Sequence, residues 1–466
     1  MSANEQPEGS IGARSNVESL PPELKSFAAR QEARAKELAA RHNADLPTVV
    51  WAYFDAAKQG NWPEISRLGD ELRKLALPPG MPRPDPAVVS QVWAAITEIW
   101  MAAAQFALAE PAYAFAFGRG VIQSIPPGSI YFGGTDAGRG LVTVLCRSHE
   151  TGDPFFTLTQ NALADRTYLR YLREIYSGRI SVLSDQDWQR AYDEYVTDFE
   201  RRKKENQLGP GEWAESVAAE AIRKISSRGK QLRPGEMAER VDGKVQLTGQ
   251  ISVMAVNGAM ARLIFDRNAG REFFVEESFP LEWMYPHLLP HGFILAIARE
   301  PLPAIPPERV EEDRRFWRGQ LGQLLGDWLW PETPVAEICA FAERVFLRKD
   351  LTGFEGDPKY VANEHTCRAF SKLRSSIGGV YHWRAKVDPD TPDKPSMAEA
   401  ADLAFRQAFA LCPSSPEAVF RYASLLLAER RLAEALQLAR TASKLDPENS
   451  QLRELAGHIR ANGQEQ

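Results

Sequence analysis

Apolar positions recur at helical spacing through the first quarter of the chain. Val50, Trp51, Phe54 and Ala57 form one stripe, and Ile65, Leu68 and Leu72 form the next. Gly60-Asn61-Trp62-Pro63 lies between them and reads as a turn, so the two stripes predict a helical hairpin. Pro21-Pro22 opens a charged, alanine-rich helix before it. PPGMPRPDP after the hairpin is a stiff connector, and two more helices are predicted over about Pro86–Leu108 and Pro111–Ser124. Residues 1–20 are polar without periodicity and read as disordered, and 21–124 as an all-helical domain.

The pattern changes at Ile125. IPPGSIYFGGTDAGRG predicts a turn, a strand over Ser129–Phe132 and a glycine-rich loop. LVTVLCRSHE follows as a helix, DPFFTLTQN as a strand, and DRTYLRYLREIYSG as an amphipathic helix closed by Gly178. Strand, helix, strand, helix is a βαβα unit, which implies a parallel strand pair. Asp185–Arg240 is charged and partly helical, with the RRKKEN run from Arg201 as a solvated helix end. GQISVMAVNGAMARLIFDRN then reads as a helix, REFFVEES as a strand, LEWMYPHLL as a short helix and FILAIAR as a strand. The expectation for 125–302 is a layered, Rossmann-like α/β domain with at least four strands. The whole chain is thus expected to be multidomain and mainly α.

Helical periodicity returns over a connector at 308–364 and continues through 365–466. In the last segment one spacing repeats. Ala401, Phe405, Ala408 and Pro413 are matched by Ala435, Ala439, Ala442 and Pro447, and the two prolines lie 34 residues apart. This small-residue pattern at that period resembles the tetratricopeptide repeat, which implies stacked helical pairs with a concave face for a protein or peptide. Arg421, Tyr422 and Leu425 would line that face. The loop DPDTPDKPS is longer than the period allows, and Asn449–Ile459 would be a capping helix.

Candidate chemistry gathers at predicted strand ends. GGTDAGRG, Gly133 to Gly140, leaves a strand and enters a helix. In open α/β sheets ligands bind beyond the carboxyl ends of strands. Gly133, Gly134 and Thr135 would admit close approach of a ligand, Asp136 would hold a hydroxyl or a metal, and Arg139 a phosphate or carboxylate. The loop is neither GxGxxG nor a Walker sequence, and it equally reads as a tight turn with Asp136 capping the helix. Gln160 and Asn161 end the second strand, and Glu276 and Glu277 end the third. Asp136, Asn161 and Glu277 together would suit a sugar or a cation. Cys146 and His149, three apart on one predicted helix, read as structural, and His287 and His291 are flanked by Pro286 and Pro290. No metal site and no cofactor is expected.

IPPGSIYFGGTDAGRG, DPFFTLTQNALADRTYLRYLREIY and FVEESFPLEWMYPHLLPHGFILAIAREPLP are similar to a block found in uncharacterised bacterial proteins, often ahead of tetratricopeptide repeats. The block also resembles the soluble C-terminal part of bacterial membrane proteins related to protein O-mannosyltransferases. Those carry a Gly-Asp loop after a strand, comparable to Gly134-Thr135-Asp136. Their transferase activity is expected in a membrane portion that this chain lacks, so the resemblance implies a fold and an accessory role.

Composition narrows the partners. A net charge of −6 disfavours nucleic acid, and four scattered cysteines without a CxxC pair fit a reducing compartment. The most apolar run, Val92–Ala109, carries Glu98 and Gln105 and reads as a buried helix, not a membrane span. No signal peptide is visible, which points to the cytoplasm, with export open if the start is incomplete. The leading expectation is a soluble scaffold or adaptor whose α/β segment binds a small polar ligand, and not an enzyme. The alternative is a glycosyltransferase-related enzyme or a sugar- or nucleotide-sugar-binding domain of envelope glycan metabolism.

Overall fold

Proline sets the start of many helices here, because its missing N–H is not needed in a first turn. In the computed structural model, which describes residues 19–43, 45–76, 86–205, 239–241, 244–246, 250–277, 279–386, 392 and 394–464, α1 (Pro22–Arg41), α4 (Pro86–Leu108) and α5 (Pro111–Ser124) all begin this way. α2 (Thr48–Gln59) ends at Gly60, whose φ of +75° turns the chain into α3 (Trp62–Ala76). The segment expected to be disordered lies outside the described residues up to position 18. α4 packs against α1, α3 and the helices α6 (Asp136–Leu145) and α8 (Arg166–Tyr176). Contact on several sides explains why α4 is apolar all round. Its Glu98 and Gln105 are buried as well.

The sheet joins five strands in the order β2 (Phe156–Thr159), β1 (Ile130–Gly133), β5 (Phe273–Glu276), β7 (Ile294–Ile297), β6 (Leu288–His291). The separate hairpin β3 (Glu239–Val241) and β4 (Lys244–Gln246) is antiparallel. β1 runs parallel to both β2 and β5, as the βαβα pattern requires. β7 and β6 run antiparallel. The sheet is therefore mixed, whereas a Rossmann-like arrangement calls for a mostly parallel one. β1, β2 and β5 are buried along their whole length, although β2 carries Thr157 and Thr159 and β5 ends in Glu276. LEWMYPHLL differs from its reading as a helix. Pro286 permits only a 3₁₀ turn over Glu282–His287, and the rest becomes β6.

α7 (Ser148–Thr151), α9 (Asp185–Lys204) and α10 (Gln250–Arg267) complete the sheet's surroundings. The chain then returns to helix: α11 (Pro307–Leu325), α12 (Val335–Ala342) with a π turn to Leu347, and α13 (Pro358–Ala362). Four long helices and a last one follow: α14 (Glu364–Lys386), α15 (Lys394–Leu411), α16 (Pro416–Ala428), α17 (Leu432–Leu445) and α18 (Ser450–Gln464). Each packs on the next. Ala401, Ala408, Ala435, Ala439 and Ala442 are all fully buried at these contacts.

The C-terminal helices are built into the rest of the molecule. Arg374 on α14 holds Asp313 on α11 at 2.8 and 3.0 Å, with both side chains 1% exposed. Gln407 on α15 accepts from Arg374 Nε at 2.7 Å, and Tyr381 donates to Asp313 at 3.0 Å. Arg384 donates to the carbonyls of Leu302 and Pro286 beside the sheet at 2.9 and 2.8 Å. Buried apolar side chains from Leu20 to Ile459 form one connected core.

Candidate functional site

Parallel pairing brings three strand ends level. Gly133 on β1 lies opposite Thr159 on β2 and Glu276 on β5, so the residues that follow share one edge. Gly134 N donates to the Glu276 carbonyl at 2.7 Å. Asn161 Nδ2 donates to Glu277 Oε2 at 2.9 Å and to the Gly134 carbonyl at 3.3 Å. Of the expected trio, Asn161 and Glu277 therefore meet. Asp136 turns aside, and Arg139 Nε donates to it at 3.0 Å.

The glycine-rich loop is shorter than its sequence implies, because α6 already begins at Asp136 and runs through Gly138 and Gly140. Its N-cap is Thr135, not Asp136: Thr135 Oγ1 accepts from Gly138 N at 3.1 Å. A carboxyl group does sit at this helix start, and it is the protein's own. Glu276 Oε2 accepts from Thr135 N at 3.2 Å, and Oε1 accepts from the Thr135 hydroxyl at 2.7 Å. A Cβ on Gly138 would overlap Glu276 Oε2, and one on Gly134 would overlap Glu277 Oε2. Both glycines thus make room for carboxylates from β5. Burial, and then the charge of Glu277, push the Glu276 carboxyl up to about 7 against the pull of the Thr135 and Gly134 hydrogen bonds. In the sequence Glu276 is only a strand end; its partner Thr135 stands 141 residues away.

The C-terminal helices roof this edge. His365, Arg368, Lys372 and Ser376 on α14 recur at helical spacing, a polar stripe not singled out in the sequence. Ser376 Oγ donates to the Glu277 carbonyl. Lys372 pairs with Glu417 of α16 at 3.1 Å. Arg421 of α16 donates to the Ser375 carbonyl at 2.7 Å and lies 4.2 Å from the centroid of Phe279, a ring that is 55% exposed. The expected partner face is otherwise closed. Tyr422 and Leu425 are fully buried, and Arg406 Nε donates to the Tyr422 hydroxyl at 3.2 Å. His365 contacts Gln105 at 2.8 Å, and burial pushes its imidazole down to about 4.

Gln160 stands apart among these groups. It is fully buried, and its Nε2 donates to Asn161 Oδ1 at 3.3 Å. Its Oε1 has no hydrogen-bond partner. A buried amide oxygen left in this state costs about 1–3 kcal/mol.

Other candidates prove structural. Cys146 follows the end of α6, so it does not share a helix with His149, and burial pushes its thiol up to about 12. His149 joins a buried polar tie: Nδ1 is 3.2 Å from Glu98, and Nε2 is 3.0 Å from Thr157 Oγ1. Tyr171 donates to Glu98 at 2.7 Å, and all four residues are buried. His287 Nδ1 donates to the Ala298 carbonyl at 2.8 Å and His291 Nε2 to that of Ser124 at 2.7 Å, so the two do not form a metal pair. Among the described residues no group of three or more His, Cys, Asp and Glu is placed to hold a metal, and no helix is long and apolar enough to cross a membrane. A shallow depression of about 700 Å³ is lined by Gln186, Gln189, Arg190, Asp193 and Thr197. Its lining comes from α9 alone and brings no separate elements together. No protein family, curated protein or solved structure matches this chain.

Proposed function

We propose that the protein binds a small polar ligand at the carboxyl ends of β1, β2 and β5, with α14 and α16 as the roof of the site. The observation that carries this reading is the meeting of Asn161 and Glu277 across three strands, beside the unsatisfied oxygen of Gln160. We read α14–α17 as tetratricopeptide-like pairs turned to internal use, because Tyr422 and Leu425 face the core. Binding fits better than catalysis. Both oxygens of Glu276 face Thr135, and Asp136 is paired with Arg139. The four free, buried cysteines fit a reducing compartment such as the cytoplasm.

Thermal-shift screening and calorimetry of the full chain against sugars, sugar phosphates, nucleotide sugars, dicarboxylates and polyamines test the reading. A ligand should raise the melting temperature, and Asn161→Ala should weaken it. Absence of any binding, or equal binding in Asn161→Ala, would defeat the proposal.

A further inference from the structure

Resting on that site, the balance of charge around it narrows the ligand's class. Several ionised groups around the strand ends face opposite ones. Asp136 is paired with Arg139, and Glu417 with Lys372. Arg421 lies in the field of both Glu277 and Glu417. A phosphate at the start of α6 would have to displace the Glu276 carboxyl, which already holds Thr135 N and its hydroxyl. It would also approach Glu277, which lies against Gly134. An ammonium group drawn to Glu277 would meet Arg421, which already lies in the field of that carboxylate.

What the site lacks is a neutral donor. Gln160 Oε1 accepts from nothing, and its amide lies against that of the half-buried Asn161. A hydroxyl group satisfies such an oxygen without adding charge. Near Glu277, Phe279 offers an exposed ring, tied to the cluster through its backbone N–H to Glu277 Oε1 at 3.4 Å. A carboxylate, two amides and an aromatic ring suit a molecule with hydroxyls on one side and C–H groups on another. We infer that the ligand is a neutral polyhydroxylated molecule, a monosaccharide or polyol, held by Gln160, Asn161 and Glu277 with its C–H face on Phe279.

Calorimetry of the full chain separates the possibilities. The panel is glucose, mannose, galactose, sorbitol and inositol, set against glucose 6-phosphate, malate and spermidine. A neutral member should bind more tightly than any charged one. Gln160→Met should weaken it about tenfold or more while leaving Tm unchanged or higher, since it removes an unsatisfied oxygen. Phe279→Ala, at an exposed position where folding is not at stake, should weaken it about tenfold. If a charged member binds best and depends on Asn161, the class is overturned and the site stands. Neutral binding indifferent to both substitutions would overturn the assignment to these residues. If nothing on the panel or in the wider screen binds, site and class fall together.

Discussion

Gly138 shows how one missing side chain shapes the strand-end cluster. In a helix, Gly→Ala normally gains up to about 1 kcal/mol. Here the new Cβ would overlap Glu276 Oε2, so Gly138→Ala should instead cost about 2 kcal/mol or more in urea denaturation. Gly319→Ala on α11, where a Cβ meets nothing within 4 Å, should show the ordinary gain. Glu276 gives a second test. Its carboxyl is raised from 4.5 to about 7, so across that window the folded chain holds a proton that the unfolded chain has released. Its contribution therefore favours folding at low pH and is lost as pH rises through about 7. His365, lowered from 6.5 to about 4, has the opposite slope over much of the same range. The difference between Glu276→Gln and the unaltered chain isolates the first effect. The variant should be more stable by about 2 kcal/mol at pH 8, with the gain vanishing toward pH 4. A pH-independent difference would refute it. Asn161 and Glu277 were legible as strand-end groups, because turn and polar residues mark where strands stop. The role of Glu276 was not, because it depends on Thr135 and Gly138, and spacing along one segment carries no record of a neighbouring strand.

Among the elements, local pattern foretold most helices and the parallel β1–β2 pair. It failed where tertiary context decides. α6 continues through two glycines because α4 and β5 need close approach there, and LEWMYPHLL keeps only a 3₁₀ turn before Leu288 and Leu289 join a strand that pairs with β7. The contact between α11 and α14 is another such case. Asp313 and Arg374 are both 1% exposed and share Tyr381 and Gln407. Asp313→Ala leaves a buried guanidinium without its counter-charge and should cost about 3–5 kcal/mol. Asp313→Leu combined with Arg374→Met should recover much of that loss, as measured in a denaturation cycle. Equal losses in the single and double variants would show that packing, and not charge, holds these helices.

For the whole molecule, a sequence reading in five segments meets a core that runs unbroken from Leu20 to Ile459. The connection arises from side chains such as Arg374, Arg384 and Ser376, whose partners are 61 to 99 residues away. No periodicity reports contacts at that range. One consequence is cooperativity. Tryptophan fluorescence and far-ultraviolet circular dichroism should trace one coincident urea transition, and two separated transitions would mean that the C-terminal helices fold by themselves. The strand order has a further consequence in time. β1 and β2 leave the ribosome early, but the strand that lies on β1's other side follows only about 110 residues later, roughly 6–22 s at ordinary rates of synthesis. Ser376 and Arg421 emerge later still. A nascent chain therefore carries a half-built sheet, with that side of β1 open, for roughly a quarter of its synthesis. The proposed site becomes whole only near completion, so on that proposal a prematurely released chain should fail to bind.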